Sequence, residues 1–342
     1  MLGFATRLVA LTFLAAGGIG RAPSADETWR DDCDRVKATA LPAGDLPDSA
    51  AKQTLSGCQS EDLYYGIGQP SDPQKARLCA YLERSAGDTP VFGGSAILMT
   101  IYATGIGARR NPDLAIRFAC ALEGAPAEME GRIAHLQKLK TRAGKKIAFD
   151  LCDDITSGYM MGACAGHAQK IEEAKRTARY RAKLAGWTAP ERAAFEKLRH
   201  AARVFFTARS SNEVDLSGTA RAEFEIEEDE RLEESFAAFL DKLERDAVPP
   251  APESELAQTD QRLNAVYQQV MKGPKSPDFG TVTTPDIHKT ERTWPAYRDA
   301  WTDFASVKFP RSDPRGIKTW LTRERAEMLE EFVPRDASQG SK

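Results

Sequence analysis

Gly66-Ile67-Gly68, Asp72-Pro73 and Ala76 return as Gly105-Ile106-Gly107, Asn111-Pro112 and Ala115, each 39 residues on (66 to 105, 72 to 111, 76 to 115). A fixed period in this range marks a repeated supersecondary unit, and the residue types identify it as helix–turn–helix. Ser95 to Ala103 reads as a short helix with Ala96, Ile97, Ile101 and Tyr102 available for packing. Gly105 and Gly107 end it, because glycine accepts positive φ without steric penalty. Asn111 is a good N-cap and Pro112 loses no hydrogen bond at the first helical position. Leu114, Ala115, Phe118 and Leu122 then fall on one face of a second helix. Asp72-Pro73 opens the equivalent helix of the first copy. No strand precedes the Gly-x-Gly turn and no Gly-Lys-Ser/Thr follows it, so it is not a phosphate loop. The expected fold class is all-α.

The run Ala96, Tyr102, Gly105-Ile106-Gly107, Asn111, Ala115 resembles the Sel-one-like repeat, a relative of the tetratricopeptide repeat; the copy from Tyr64 to Ala86 matches more loosely, without a clear first helix. The resemblance covers roughly residues 55–140 and implies a stacked α-solenoid that mediates protein contacts, placed here in a domain over 26–145. Two copies are fewer than the roughly three that usually bury a continuous core. Disulfides or the following domain are expected to supply the missing support.

The N-terminus has the three parts of a secretory signal peptide. Arg7 provides the positive charge, Leu8 to Gly20 the apolar stretch, and Ala22-Pro23-Ser24-Ala25 the small residues at the cut, which is placed after Ser24 or Ala25. Residues 1–25 are therefore expected to direct export, with no stable membrane insertion after cleavage. Six cysteines, Cys33, Cys58, Cys79, Cys120, Cys152 and Cys164, all lie in the first half. An even count in an exported chain reads as disulfides. No Cys-x-x-Cys pair occurs and His135, His167, His200 and His288 are scattered, so neither a metal nor a cofactor is expected. A formal net charge of −3 argues against a general nucleic-acid binder.

From Phe149 the character changes. Cys152 and Cys164 enclose Thr156 and Met161 and precede a long polar helical run, an opening that resembles the lysozyme-inhibitor LprI-like domain. Leu198, Phe205 and Arg209 follow where that family has Leu, Trp and Arg. A second match is clearer: Asp260, Leu263, Asn264 and Tyr267 resemble the signature Asp-x-x-Leu-Asn-x-x-Tyr, Trp294, Tyr297, Arg298 and Asp299 the signature Trp-x-x-Tyr-Arg-Asp, and Thr322, Arg325 and Leu329 its closing helix. The resemblance implies two modules, over 149–247 and 254–332, joined by a Pro-rich linker over 248–253 and followed by a disordered tail over 333–342. Thr302 and Ile317 stand near a cysteine pair that family members often carry. The paired loss makes Cys152–Cys164 the simplest bridge, while Cys33, Cys58, Cys79 and Cys120 keep three pairings open. Read from spacing alone, Trp294, Tyr297, Trp301 and Phe304 form an aromatic helix stripe suited to a packing core, with Arg298 beside Trp294.

Charge is the one functional lead. Between Lys170 and Arg209 basic residues outnumber acidic ones 11 to 4; from Glu213 to Asp246 the balance is 13 acidic to 4 basic, centred on Glu227-Glu228-Asp229-Glu230. Two neighbouring helices complementing each other would explain this. The sharper alternative makes Glu227, Glu228, Asp229 and Glu230 a binding face for a basic protein, and the family resemblance proposes lysozyme or another cell-wall hydrolase. Ser210-Ser211 and Ser217-Gly218 lack a hydrolase context and no Gly-x-Ser-x-Gly elbow exists. The expectation is a periplasmic protein-binding protein without catalytic residues, with a scaffold for an envelope or secretion complex as the alternative.

Overall fold

A computed structural model describes residues 25–89, 91–142, 147–272 and 279–333, which are helical with no strand among them. Most of the signal segment and of the tail read at the two ends lies outside the described residues. The helices run α1 (Ala25–Val36), α2 (Ser49–Thr54), α3 (Ser60–Tyr65), α4 (Pro73–Gly87), α5 (Gly94–Thr104), α6 (Pro112–Ala119) and α7 (Pro126–Lys140). They continue as α8 (Gly158–Ala185), α9 (Ala189–Asn212), α10 (Arg221–Glu244), α11 (Glu253–Lys272), α12 (Thr284–Glu291), α13 (Trp294–Lys308) and α14 (Pro314–Glu330). Short 3-10 turns cover Ala43–Asp45 and Leu151–Asp154.

The 39-residue period survives down to single hydrogen bonds. Asp72 N–H donates to the Leu63 carbonyl at 2.8 Å, and Asn111 N–H to the Tyr102 carbonyl at 2.9 Å. The Asp72 side chain caps Lys75 N–H at 3.0 Å, as Asn111 caps Leu114 N–H at 3.2 Å. The first copy does possess a first helix, α3, cut to six residues. Beyond the second copy α6 packs on α7, and both pack on α1.

Three disulfides brace this half: Cys33–Cys120, Cys58–Cys79 and Cys152–Cys164. The first joins α1 to the end of α6 across 87 residues. In the chain-entropy picture that closure is worth about 4–5 kcal/mol, and each shorter one about 3 kcal/mol. The support that two repeats lack therefore comes from α1, α7 and the covalent bridges.

The hydrophobic clusters divide the chain differently from the sequence motifs. The first runs from Val36 to Cys164 and takes in Ile147, Phe149, Leu151 and Met160. The second runs from Tyr180 to Phe332. The boundary falls inside α8, whose beginning belongs to one core and whose end belongs to the other. The stretches read as two successive modules share the second core: Phe205 stacks on Tyr297 with centroids 5.1 Å apart, and Phe236 lies 4.6 Å from Trp301. The Pro-rich connection is docked rather than free. Ala251 N–H donates to Asp313 at 2.9 Å, and Gly316 sits so close that a Cβ there would lie 2.2 Å from the Pro249 carbonyl oxygen.

Candidate functional groove

Helix α8 is capped by Ser157 and ends at Gly186. The chain reverses around Trp187, which is buried and stacks on Phe304 at 5.7 Å. Thr188 and Glu191 then form a reciprocal capping box that starts α9. After this turn α8 and α9 both pack on α10 but scarcely on each other. The gap between them is an open groove of about 820 Å³.

Helical periodicity supplies its lining. Gln169, Glu173, Arg176, Thr177, Tyr180 and Arg181 share one face of α8; Arg192, Phe195, Glu196, Arg199, Arg203 and Phe206 share one face of α9; Asp229 and Glu233 reach it from α10. Tyr180, Phe195 and Phe206 are buried and make an aromatic floor. Arg199 gives both ends of its guanidinium to Glu233 at 2.7 and 2.8 Å, and lies 5.4 Å from the Tyr180 ring centroid. Arg176 binds Glu230 at 2.9 and 3.2 Å. Exposed Arg181, Arg192 and Arg203 form no ion pair among the described residues.

Two floor groups are under-partnered. The Tyr180 hydroxyl is buried without a hydrogen-bond partner, although the residue is only 9% exposed. Burial pushes its pKa up to about 12, so it stays a neutral hydroxyl. Asp229 meets only the Gln169 amide at 3.4 Å. Burial, with Glu233 and Glu230 nearby, raises its pKa above the usual aspartate range.

The acidic run on α10 is largely turned inward. Glu228 accepts from Arg209 at 2.7 Å and from Arg231 at 2.7 and 2.8 Å, and Glu230 from Arg176. Their partners come from α8, α9 and α10 itself, so the four-residue face does not face solvent together. Glu227 alone is exposed, in a shallow notch with Val214, Asp215 and Phe224, the last 39% exposed.

The C-terminal motif residues gather around the shared core. Leu263, Trp294 and Tyr297 are buried. Arg298 lies over Trp294 at 4.9 Å and reaches Asp260 at 3.5 Å. The Tyr267 hydroxyl contacts His288 Nδ1 at 2.6 Å. Asn264 is exposed, whereas Thr322 and Arg325 are fully buried. Arg325 binds Glu213 at 2.6 and 2.8 Å and Glu291 at 2.9 Å. The groove itself was missed by the motif reading. Its signal is the spacing Arg192, Phe195, Glu196, Arg199, Arg203, Phe206, which puts cations and aromatics on one face, but the facing helix is not visible in the sequence.

Among the described residues no cluster of His, Cys, Asp and Glu is arranged to hold a metal ion, and no helix is long and apolar enough to cross a membrane. Comparisons with protein-family models, curated proteins and solved structures find no match to this chain.

Proposed function

We propose that this is an exported, disulfide-braced protein-binding protein of the bacterial periplasm that engages its partner through the α8–α9 groove. The carrying observation is the set of exposed guanidinium groups that form no ion pair among the described residues, Arg181, Arg203 and Arg192 (the last donating to the Leu184 carbonyl at 3.4 Å), above the floor of Tyr180, Phe195 and Phe206. Arginine and aromatic side chains are the groups that dominate protein interfaces, because they combine large contact area with directional hydrogen bonds. Three disulfides fit the oxidising compartment to which the signal-like N-terminus points.

Inhibition of a lysozyme or another cell-wall hydrolase is the specific form of this reading. It rests on the resemblance of the C-terminal motifs. Support from charge is confined to Glu227 beside exposed Phe224, since its neighbours Glu228 and Glu230 are already paired. The test is a cell-wall lysis assay at low salt with the purified protein, alongside direct binding to lysozyme. Inhibition that weakens with added salt supports the reading. Unaltered lysis together with no measurable binding removes lysozyme as the partner.

A further inference from the structure

We infer that the notch between the start of α10 and the Val214-Asp215 segment takes an arginine-bearing loop of a basic protein, its guanidinium over the Phe224 ring and beside Glu227 and Asp215. This rests on the protein-binding reading above and adds a contact on the face of α10 turned away from the α8–α9 groove. Phe224, Glu227 and Arg231 follow one another at three- and four-residue spacings and share one helix face. Asp229 and Glu233, which line the groove, fall on the opposite face. Charge is the first argument, and in the notch it does not balance. The ionisable lining groups are Asp215, Glu227, Glu228 and Arg231. Glu228 and Arg231 hold each other at 2.7 Å. Behind them Arg209 and Arg325 are shared among Glu213, Glu228, Glu291 and Glu331, so four carboxylates already stand against three guanidinium groups. Asp215 and Glu227 add two more negative charges. Exposed Glu227 forms no ion pair among the described residues. Asp215 accepts only neutral donors, from Ser217 at 2.9 Å and Thr281 at 3.0 Å, which hold its carboxyl below the usual aspartate range. Arg221, the remaining cation at this end of α10, is offset by Glu223 and Glu225.

The second argument is the aromatic ring. Phe224 is among the large apolar side chains that folding leaves exposed, and an aromatic face attracts a cation. Carboxylates beside such a ring suit a side chain with an apolar stem and a charged tip. A planar guanidinium stacks on the ring and binds a carboxylate through its fork, which a compact ammonium group does not reproduce. The notch, of about 430 Å³, accommodates a side chain and not a folded domain.

The experiment is fluorescence polarisation of a labelled short peptide of alternating Arg and Ser on the full chain, with Lys-Ser and Glu-Ser peptides as comparisons. The Arg-Ser peptide is expected to bind more tightly than the Lys-Ser peptide, and to weaken as salt rises from about 0.05 to about 0.5 M. Glu227→Lys should weaken it by about tenfold. Phe224→Ser, which leaves the net charge untouched, should weaken it severalfold. Both positions are exposed, so both variants should melt with the wild type. Glu123→Lys makes the same charge change at an exposed position outside the notch and should leave binding unchanged. The inference is overturned if the Arg-Ser peptide does not bind, if the Glu-Ser peptide binds equally, or if either notch variant binds as the wild type does. It is also overturned if Glu123→Lys weakens binding as much as Glu227→Lys, which would assign the effect to overall charge. Self-association of the wild type that Glu227→Lys abolishes would assign the notch to a second copy instead. Lysozyme binding that is equal in wild type and Glu227→Lys would remove the notch and leave the protein-binding reading intact. Notch-dependent peptide binding without any protein partner would do the opposite.

Discussion

Arg325 and Glu213 face each other with neither side chain exposed to solvent, joined by two hydrogen bonds of 2.6 and 2.8 Å. Glu213 also accepts from Arg209 at 2.5 Å, and Arg209 from its other edges binds Glu228 and Glu331. One carboxylate thus bridges two buried guanidinium groups, Arg209 near the end of α9 and Arg325 on α14, the latter 112 residues from Glu213 in sequence.

Glu213→Gln should therefore destabilise the protein by about 3 kcal/mol, because it removes the fully buried carboxylate shared by Arg325 and Arg209 and leaves each with only its more exposed partners, Glu291 for Arg325 and Glu228 and Glu331 for Arg209. Glu331→Gln removes a partner of the same Arg209 that is 60% exposed, and should cost about 1 kcal/mol or less. Chemical denaturation of both variants checks the contrast. Equal effects would show that Glu213 is not the hub.

Acidification should remove a definite part of the stability. Burial of Glu228 favours its neutral form, but the hydrogen bond from Arg231 and the charges of Arg209 and Arg231 outweigh it and hold the pKa below the usual glutamate value. A lowered folded-state pKa stabilises the protein fully above the unfolded value of about 4.3 and loses that contribution as pH falls through the folded value. Wild type and Glu228→Gln should differ in stability at neutral pH and converge on acidification below that range. A difference independent of pH would contradict this.

Gly68 and Gly107 hold equivalent places in the two repeat copies and both have positive φ, 71° and 100°. A Cβ at Gly68 would meet open space, whereas at Gly107 it would lie 2.5 Å from the Pro73 carbonyl oxygen of the preceding copy. Gly68→Ala should cost about 1–2 kcal/mol, the left-handed penalty alone. Gly107→Ala should cost about 3 kcal/mol or more, since the contact between copies must also open. Thermal melting of the pair measures how tightly the copies are stacked.

Replacing Cys33 and Cys120 together by alanine should lower stability by about 4–5 kcal/mol, against about 3 kcal/mol for Cys152 and Cys164, because the longer closed loop restricts the unfolded chain more. Denaturant midpoints in the absence of reductant give the comparison. The reverse order would mean that local packing around the bridges outweighs loop closure.

Several features were legible along the chain because they are local. Asn111-Pro112 and Asp72-Pro73 announce helix starts through capping chemistry, and the glycines before them announce turns, so the helical repeat followed from neighbours a few residues apart. Trp294, Tyr297, Trp301 and Phe304 declared a buried face by their spacing, and all four are buried. Tertiary structure alone decided which charges remain free. In sequence Glu228 and Glu230 fit either a complement to the neighbouring basic helix or an outward binding face; folding selects the first by bringing them against Arg209 and Arg176, whereas Arg192 and Arg203 are left facing an open gap. Periodicity fixes the face of a helix on which a charge lies; only the packing of distant helices fixes what stands opposite, because Coulomb and hydrogen-bond partners act over a few ångströms of space and not over intervals of sequence.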